Sequence, residues 1–226
     1  MLTVSSALAI FLVSVQPVVA GDLTGQVSIT KRLTKKTVAP TVYSLRGTAP
    51  PPAHAETDAI NEFDRTIVIL EGGKTAAPAP ETAVIEQRDS RFEPDLVVIP
   101  VGSTVQFPNS DPIFHNVFSL SGAQPFDLGF YSKSQSRSVK FTHAGIVQVY
   151  CHIHSNMYAG IVVTASPWYG KPAADGSFTW KDIPAGHYRV VAWHKIAGLH
   201  QVQVDVPETG TVNVTVRVPI DVEQHP

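Results

Sequence analysis

Sulfur is almost missing from this chain. Among 226 residues there is one cysteine, Cys151, and one methionine besides the initiator, Met157. A lone cysteine cannot close an internal disulfide, so no disulfide framework staples the fold. Charge is sparse too: 17 Lys and Arg against 19 Asp and Glu leave a net charge of −2, with 16% of residues charged. No basic stripe marks a nucleic-acid surface, and the one basic cluster, Lys31-Arg32 with Lys35-Lys36, reads as a solvated strand or loop. Sustained 3.6-residue periodicity is also lacking, which argues against long helices. No G-x-S-x-G, H-E-x-x-H or phosphate-cradling glycine loop occurs, so the common hydrolytic and nucleotide-binding chemistries have no anchor.

What fills the chain is β signal. Eighteen prolines and fifteen glycines punctuate short runs rich in Val, Ile, Thr and aromatics, the pattern of an all-β protein. Residues 2–20 carry no charged side chain and end in Val18-Val19-Ala20. They read as a secretory signal peptide spanning residues 1–20, although the usual basic residues before the apolar core are missing. An uncleaved anchor is the rival, because about eighteen uncharged residues just reach across a bilayer. Beyond this segment three blocks separate. The first has candidate strands at 26–30, 37–45 and 65–70, around a proline-rich loop at 47–59. An Ala/Pro-rich linker follows at 74–81.

The middle block, 82–166, has strand candidates at 83–87, 95–99, 104–107, 116–119, 138–142, 146–151 and 160–164. Such spacing predicts a sandwich or barrel. In the last block Val212, Val214, Val216 and Val218 alternate with polar residues, giving one apolar and one polar face. Turn signals at Asp175-Gly176 and Pro184-Ala185-Gly186 bracket a strand at 178–183, and a further strand is expected at 188–194.

Both informative sulfurs fall in one run, Cys151-His152-Ile153-His154-Ser155-Asn156-Met157. By composition alone Cys151 could be a small buried hydrophobe, a dimer link or a ligand. Its neighbours favour the last, because thiolate, imidazole and thioether together form the soft donor set suited to copper. Period-two alternation puts Val147, Val149 and Cys151 on one face, and Gln148, Tyr150 and His152 on the other. Cys151 is therefore expected to point inward and His152 outward, leaving His154 as the second ligand. A blue-copper site needs a second imidazole in the trigonal plane and a long axial sulfur. His115, after the turn-rich Asn109-Ser110-Asp111-Pro112, is the best candidate for the first, and Met157 for the second. His143, His187, His194 and His200 share no spacing that convenes them and read as structural.

Residues 105–117 together with 149–157 resemble the plastocyanin and amicyanin branch of the cupredoxins, the short ligand loop being nearest to amicyanin. The resemblance covers about residues 82–166. It implies a Greek-key sandwich holding one type 1 copper ion, with His115, Cys151 and His154 equatorial and Met157 axial. It also implies that the backbone of Asn116 ties the ligand loops together and tunes the sulfur. Ile113, Phe114 and Phe126 are expected to shield the site.

Four side-chain ligands leave no position for a substrate. The expected function is thus an exported one-electron carrier, periplasmic or extracytoplasmic, not an enzyme. Its partners would be redox proteins met transiently around His154, with no nucleic acid and no membrane span once the leader is removed. Cys151-His152 also resembles the Cys-His element of multicopper oxidases and copper nitrite reductases, but the further histidines those enzymes need are missing. A second alternative is an envelope copper-binding or recognition protein in which a flanking domain docks a partner. That domain has its own resemblance: Gly176-Ser177-Phe178 followed by Pro184-Ala185-Gly186-His187-Tyr188 resembles the carboxypeptidase regulatory-like, transthyretin-like sandwich. Such domains begin with a G-x-V strand, and Gly25-Gln26-Val27 supplies one. The expectation is a discontinuous sandwich, 21–73 with 167–222, into which the copper domain is inserted; two consecutive domains are the rival. Asn213-Val214-Thr215 also fits a glycosylation sequon.

Overall fold

Short apolar runs closed by glycine and proline give an all-β protein: the computed structural model describes residues 20–30, 61–73 and 75–219, and no α-helix occurs among them. In chain order the early strands are β1 (Ala20–Ile29), β2 (Thr66–Gly72), β3 (Thr82–Val84), β4 (Glu86–Arg88), β5 (Arg91–Glu93) and β6 (Leu96–Pro100). Next come β7 (Thr104–Pro108), β8 (His115–Ser119), β9 (Phe126–Tyr131), β10 (Ser136–Lys140), β11 (Gly145–Tyr150) and β12 (Tyr158–Thr164). The last are β13 (Tyr169–Gly170), β14 (Ser177–Pro184), β15 (Gly186–His194), β16 (Gly198–Val206) and β17 (Thr211–Val218). The leader up to residue 19, the strand expected at 37–45, the proline-rich loop and the basic cluster lie outside the described residues.

Four sheets carry the architecture, in the orders β14-β1-β17, β13-β2-β15-β16, β6-β12-β11-β8-β9 and β10-β7-β3. Leu23, Val27, Val68, Leu70, Val190 and Val216 belong to the core shared by the first two. The last two enclose a second core with Phe107, Val117, Phe141, Val149 and Ile161. Between the pairs lies a third apolar cluster, Ile67, Ile69, Leu96, Val162 and Trp193. Alternation along β2 and β12 therefore serves two cores at once. That is why Ile67 to Leu70 and Ile161 to Val163 are unbroken apolar runs: a strand covered on both faces has no polar side.

The first and last blocks of the chain interleave. β1 runs parallel to β17 with Val27 opposite Val216 and antiparallel to β14, while β2 pairs with β15, Ile69 opposite Val191. The expected strand at 83–87 is divided, because the chain turns at the fully buried Ile85 and changes partner from β7 to β5. β5, β9, β13 and β16 were not expected. Among the described residues, no helix is long and apolar enough to cross a membrane.

Candidate metal centre

β11 and β12 are antiparallel neighbours, and their last matched pair is Tyr150 opposite Tyr158. Residues 151–157 are thus the connection between two strands whose register is fixed by the core. Val147 and Val149 are fully buried, and Cys151 is only 6% exposed. The turn is held from within by the Met157 N–H, which donates to the His154 carbonyl at 3.0 Å. From outside, the Asn156 amide donates to the Ser90 carbonyl at 3.1 Å. Met157 itself is buried in the same core as Cys151.

His115 opens β8, two residues before Val117, and meets this loop from the strand next to β11. Its Nδ1 lies 3.0 Å from His154 Nδ1, and Cys151 Sγ lies 3.8 Å from the same His154 nitrogen. The donor atoms of His115, Cys151 and His154 all fall within 4.8 Å of one another. Two imidazole nitrogens and a sulfur so converged are a poor hydrogen-bonding group, because at most a proton or two can satisfy three lone-pair donors. They fit a soft or borderline cation bound by nitrogen and thiolate.

The rear of His115 is fixed by a residue with no sequence signal of its own. Asp111 Oδ2 is 2.7 Å from His115 Nε2, which leaves Nδ1 free to face the other donors. The carboxylate is itself locked, with Oδ1 accepting from Asp89 N–H at 2.7 Å and Oδ2 from Ser90 N–H at 2.8 Å. Asp89 and Ser90 both have positive φ, 52° and 55°, the geometry of a two-residue type I′ hairpin turn, and this aims their N–H groups at Asp111. Burial pushes the Asp111 carboxyl up, but the N–H of Ser90, His115 and the N–H of Asp89 together hold it below the usual value. An ionised, multiply bonded carboxylate behind a ligating histidine raises the ligand's basicity and fixes its ring. Only a type I′ turn at Arg88-Asp89-Ser90-Arg91, placed against Asn109-Ser110-Asp111, could have foretold this contact.

Asn116 is fully buried, and the tie it makes runs through its side chain. Its Oδ1 accepts from the His152 N–H at 3.0 Å and its Nδ2 donates to Asp127 Oδ1 at 2.8 Å. One amide therefore joins β8, β9 and the residue after Cys151. His152 faces outward: its ring stacks on Phe118 at 3.8 Å and 8°, with Nε2 3.6 Å from Asp127 Oδ2. Of the three apolar residues expected to shield the site, Ile113 and Phe114 are 43% and 59% exposed, and Phe126 packs on Phe107 and Phe141, against the core that holds Cys151 and Met157. Among the described residues the other histidines each have a partner away from this group, His187 with Asp205, His194 with Glu62, His200 with the Ala197 carbonyl and His143 with Thr142.

No protein-family model matches the chain, and no curated protein sequence matches it. Solved structures do. A copper(I) form of an amicyanin variant is 26% identical, covering 37% of this chain and 82% of that one, with a TM-score of 0.35. A copper-containing nitrite reductase from Thermus scotoductus SA-01 is 27% identical over 42% of this chain and 24% of its own, with a TM-score of 0.35. A purple cupredoxin from Nitrosopumilus maritimus is 23% identical over 36% of this chain and 99% of its own, with a TM-score of 0.34. The similar structures thus include cupredoxins and an enzyme, and likeness this partial carries no argument about function. They give no support to the carboxypeptidase regulatory-like resemblance.

Proposed function

We propose that this protein is an exported one-electron carrier holding a single type 1 copper ion on His115, Cys151 and His154, with Met157 as a weak axial ligand. The observation that carries the reading is the convergence of two ring nitrogens and a buried thiol within 4.8 Å, on a strand and a loop separated by more than thirty residues of sequence. Bound copper would supply reversible one-electron chemistry. The chain's contribution is to hold the donors in one arrangement for both oxidation states, which keeps reorganisation small. Asp111 sets the ring of His115. Asn116 fixes the backbone beside Cys151. The loop bonds from His154 and Asn156 keep Met157 in the core.

With four side chains as ligands, no position is left for a substrate, so turnover is not expected. Redox partners would approach His154, which is only half-buried, through a small transient interface. We read residues 21–73 and 167–222 as one discontinuous sandwich, with the copper domain at 82–166 inserted; the pairing of β1 with β17 supports this division. The segment up to residue 20 is read as the export leader.

Optical and electron-paramagnetic spectroscopy of Cu(II)-loaded protein tests the assignment. An intense blue thiolate band with narrow copper hyperfine splitting, both lost in Cys151→Ser, is expected; a colourless protein with ordinary tetragonal copper would overturn it. Reversible voltammetry without consumption of nitrite or oxygen separates a carrier from an enzyme. A blue protein without reversible voltammetry would instead fit the copper-binding alternative.

A further inference from the structure

β12 is where the two halves of the molecule meet, and its first residue follows Met157 directly. On its outer side Gly160 receives Trp193 of β15, so closely that an added Cβ would lie 2.6 Å from Trp193 Cη2. One turn of chain later, at the β15–β16 corner, Lys195 reaches back over Tyr158. Its Nζ lies 2.5 Å from Asp95 Oδ2, 3.1 Å from the Tyr158 carbonyl and 4.5 Å from the centre of the Tyr158 ring. In return the Tyr158 hydroxyl donates to the Lys195 carbonyl at 3.2 Å. The Asp95 carbonyl accepts the Gly160 N–H at 3.0 Å, which closes the arrangement around the start of the strand.

The Lys195 side chain is only 8% exposed, and an ammonium that far from water is costly unless its donors are met. Here a carboxylate, a carbonyl and a ring face meet it. Tyr158 in turn stacks on Tyr150, 5.2 Å between centres and 23° apart. Tyr150 precedes Cys151 as Tyr158 follows Met157. Both roots of the 151–157 loop are therefore aromatic, paired in register and held on one side by a lysine from outside the sheet that bears them.

We propose that Lys195 is a positioning residue: by pinning Tyr158 between Asp95 and Tyr150 it sets the depth at which Met157 enters the site, so that the flanking sandwich adjusts the axial ligand. The consequence for copper rests on the function proposed above; the mechanical part does not. Axial sulfur tunes a type 1 site, so a shift of Met157 would register both in the metal-free protein and in the copper spectrum.

The chain has two methionines, Met1 and Met157, so labelling with [methyl-13C]methionine gives at most two signals, and Met157→Leu assigns them. In metal-free Lys195→Leu the Met157 methyl signal is expected to move or broaden, and in Lys195→Arg, which keeps the charge and its donors, to return toward its original place. In copper-loaded Lys195→Leu the ratio of the higher-energy thiolate band to the blue band, and the midpoint potential, should both change. An unmoved methyl signal and an unchanged spectrum in Lys195→Leu would overturn the proposal. If Lys195→Leu does not fold, Asp95→Asn removes the same charge contact from the opposite side and is read the same way. Wild-type protein without a blue band would defeat the copper reading alone, because the methyl signal still decides whether Lys195 positions Met157.

Discussion

His115 and His194 are both fully buried, and each sets Nε2 against a carboxylate, His115 on Asp111 and His194 on Glu62. They differ at the other nitrogen. His194 Nδ1 accepts the N–H of Ile196 at 3.2 Å and of Ala197 at 3.0 Å, so the ring is neutral, with its proton on Nε2, and its bonding capacity is used. His115 Nδ1 instead faces a second imidazole nitrogen and, beyond it, a thiol. A buried histidine is structural when complementary backbone groups close both ends. It is a candidate ligand when one end is closed by a carboxylate and the other faces further metal-ligating atoms instead of backbone groups.

The largest expected effect tests the structural end of that contrast. His194→Ala removes the Nε2–H donor from Glu62, which keeps only Arg65 at 3.9 Å, and orphans two backbone N–H groups in one step; each buried polar group left unmet costs about 1–3 kcal/mol. Chemical denaturation should show that loss with or without copper. His115→Ala should instead abolish the blue band. If His194→Ala leaves stability within experimental error, the closed network described for it is wrong.

Next in size is the response to acid. Burial, then Arg65 and His200, push the His194 imidazole down to about 4, whereas an unfolded histidine titrates near 6.5. Between those values the unfolded chain holds one more proton, so stability rises with pH across that window and is lost as pH falls through it. The full effect is about 3 kcal/mol. Glu62, raised by burial against the pull of Arg65, works in the opposite sense, since its protonation favours the folded state. Denaturation midpoints at intervals from pH 7 to pH 4 should decline in the wild type and flatten in His194→Asn, whose side-chain oxygen can take the place of Nδ1. An equal decline in both would place the acid sensitivity elsewhere.

At the metal end the corresponding test is Asp111→Asn. The carboxylate accepts from two backbone N–H groups, one on each oxygen, so an amide must point a donor at a donor and also loses the charge behind His115. Loss of such an outer partner lowers metal affinity roughly 10–100-fold. Competition titration with a copper chelator measures it, and unchanged affinity would remove Asp111 from the site.

Different parts of this arrangement were legible in the sequence for different reasons. Val147, Val149 and Cys151 share a face because period two is a property of the strand itself, and the structure buries all three. Asp111 was invisible because Asn109-Ser110-Asp111-Pro112 is the composition of any turn, and its role arises only when a separate hairpin presents two N–H groups. β16 carries a signal as well, Val202, Val204 and Val206 in alternation. β9 had little, since Gly129 interrupts it at φ +64°. That Lys195 reaches the base of the 151–157 loop could not be read from any local pattern, because it depends on how two sheets pack outer face to outer face.

The smallest effect belongs to a contact that looks like the buried carboxylate pairs but is not. Arg189 and Glu71 form a close ion pair across β15 and β2, with side chains 42% and 41% exposed. Water and salt screen charges so placed, and the entropy lost in holding two long side chains offsets much of the attraction, leaving under about 1 kcal/mol. Arg189→Ala should therefore lower the denaturation midpoint only slightly, and less still in high salt. It should leave the pH profile set by His194 intact and the copper spectrum unchanged. A loss as large as that from His194→Ala would mean that the strand pairing of β2 with β15 depends on this pair, and that exposure does not separate the two kinds of carboxylate contact in this protein.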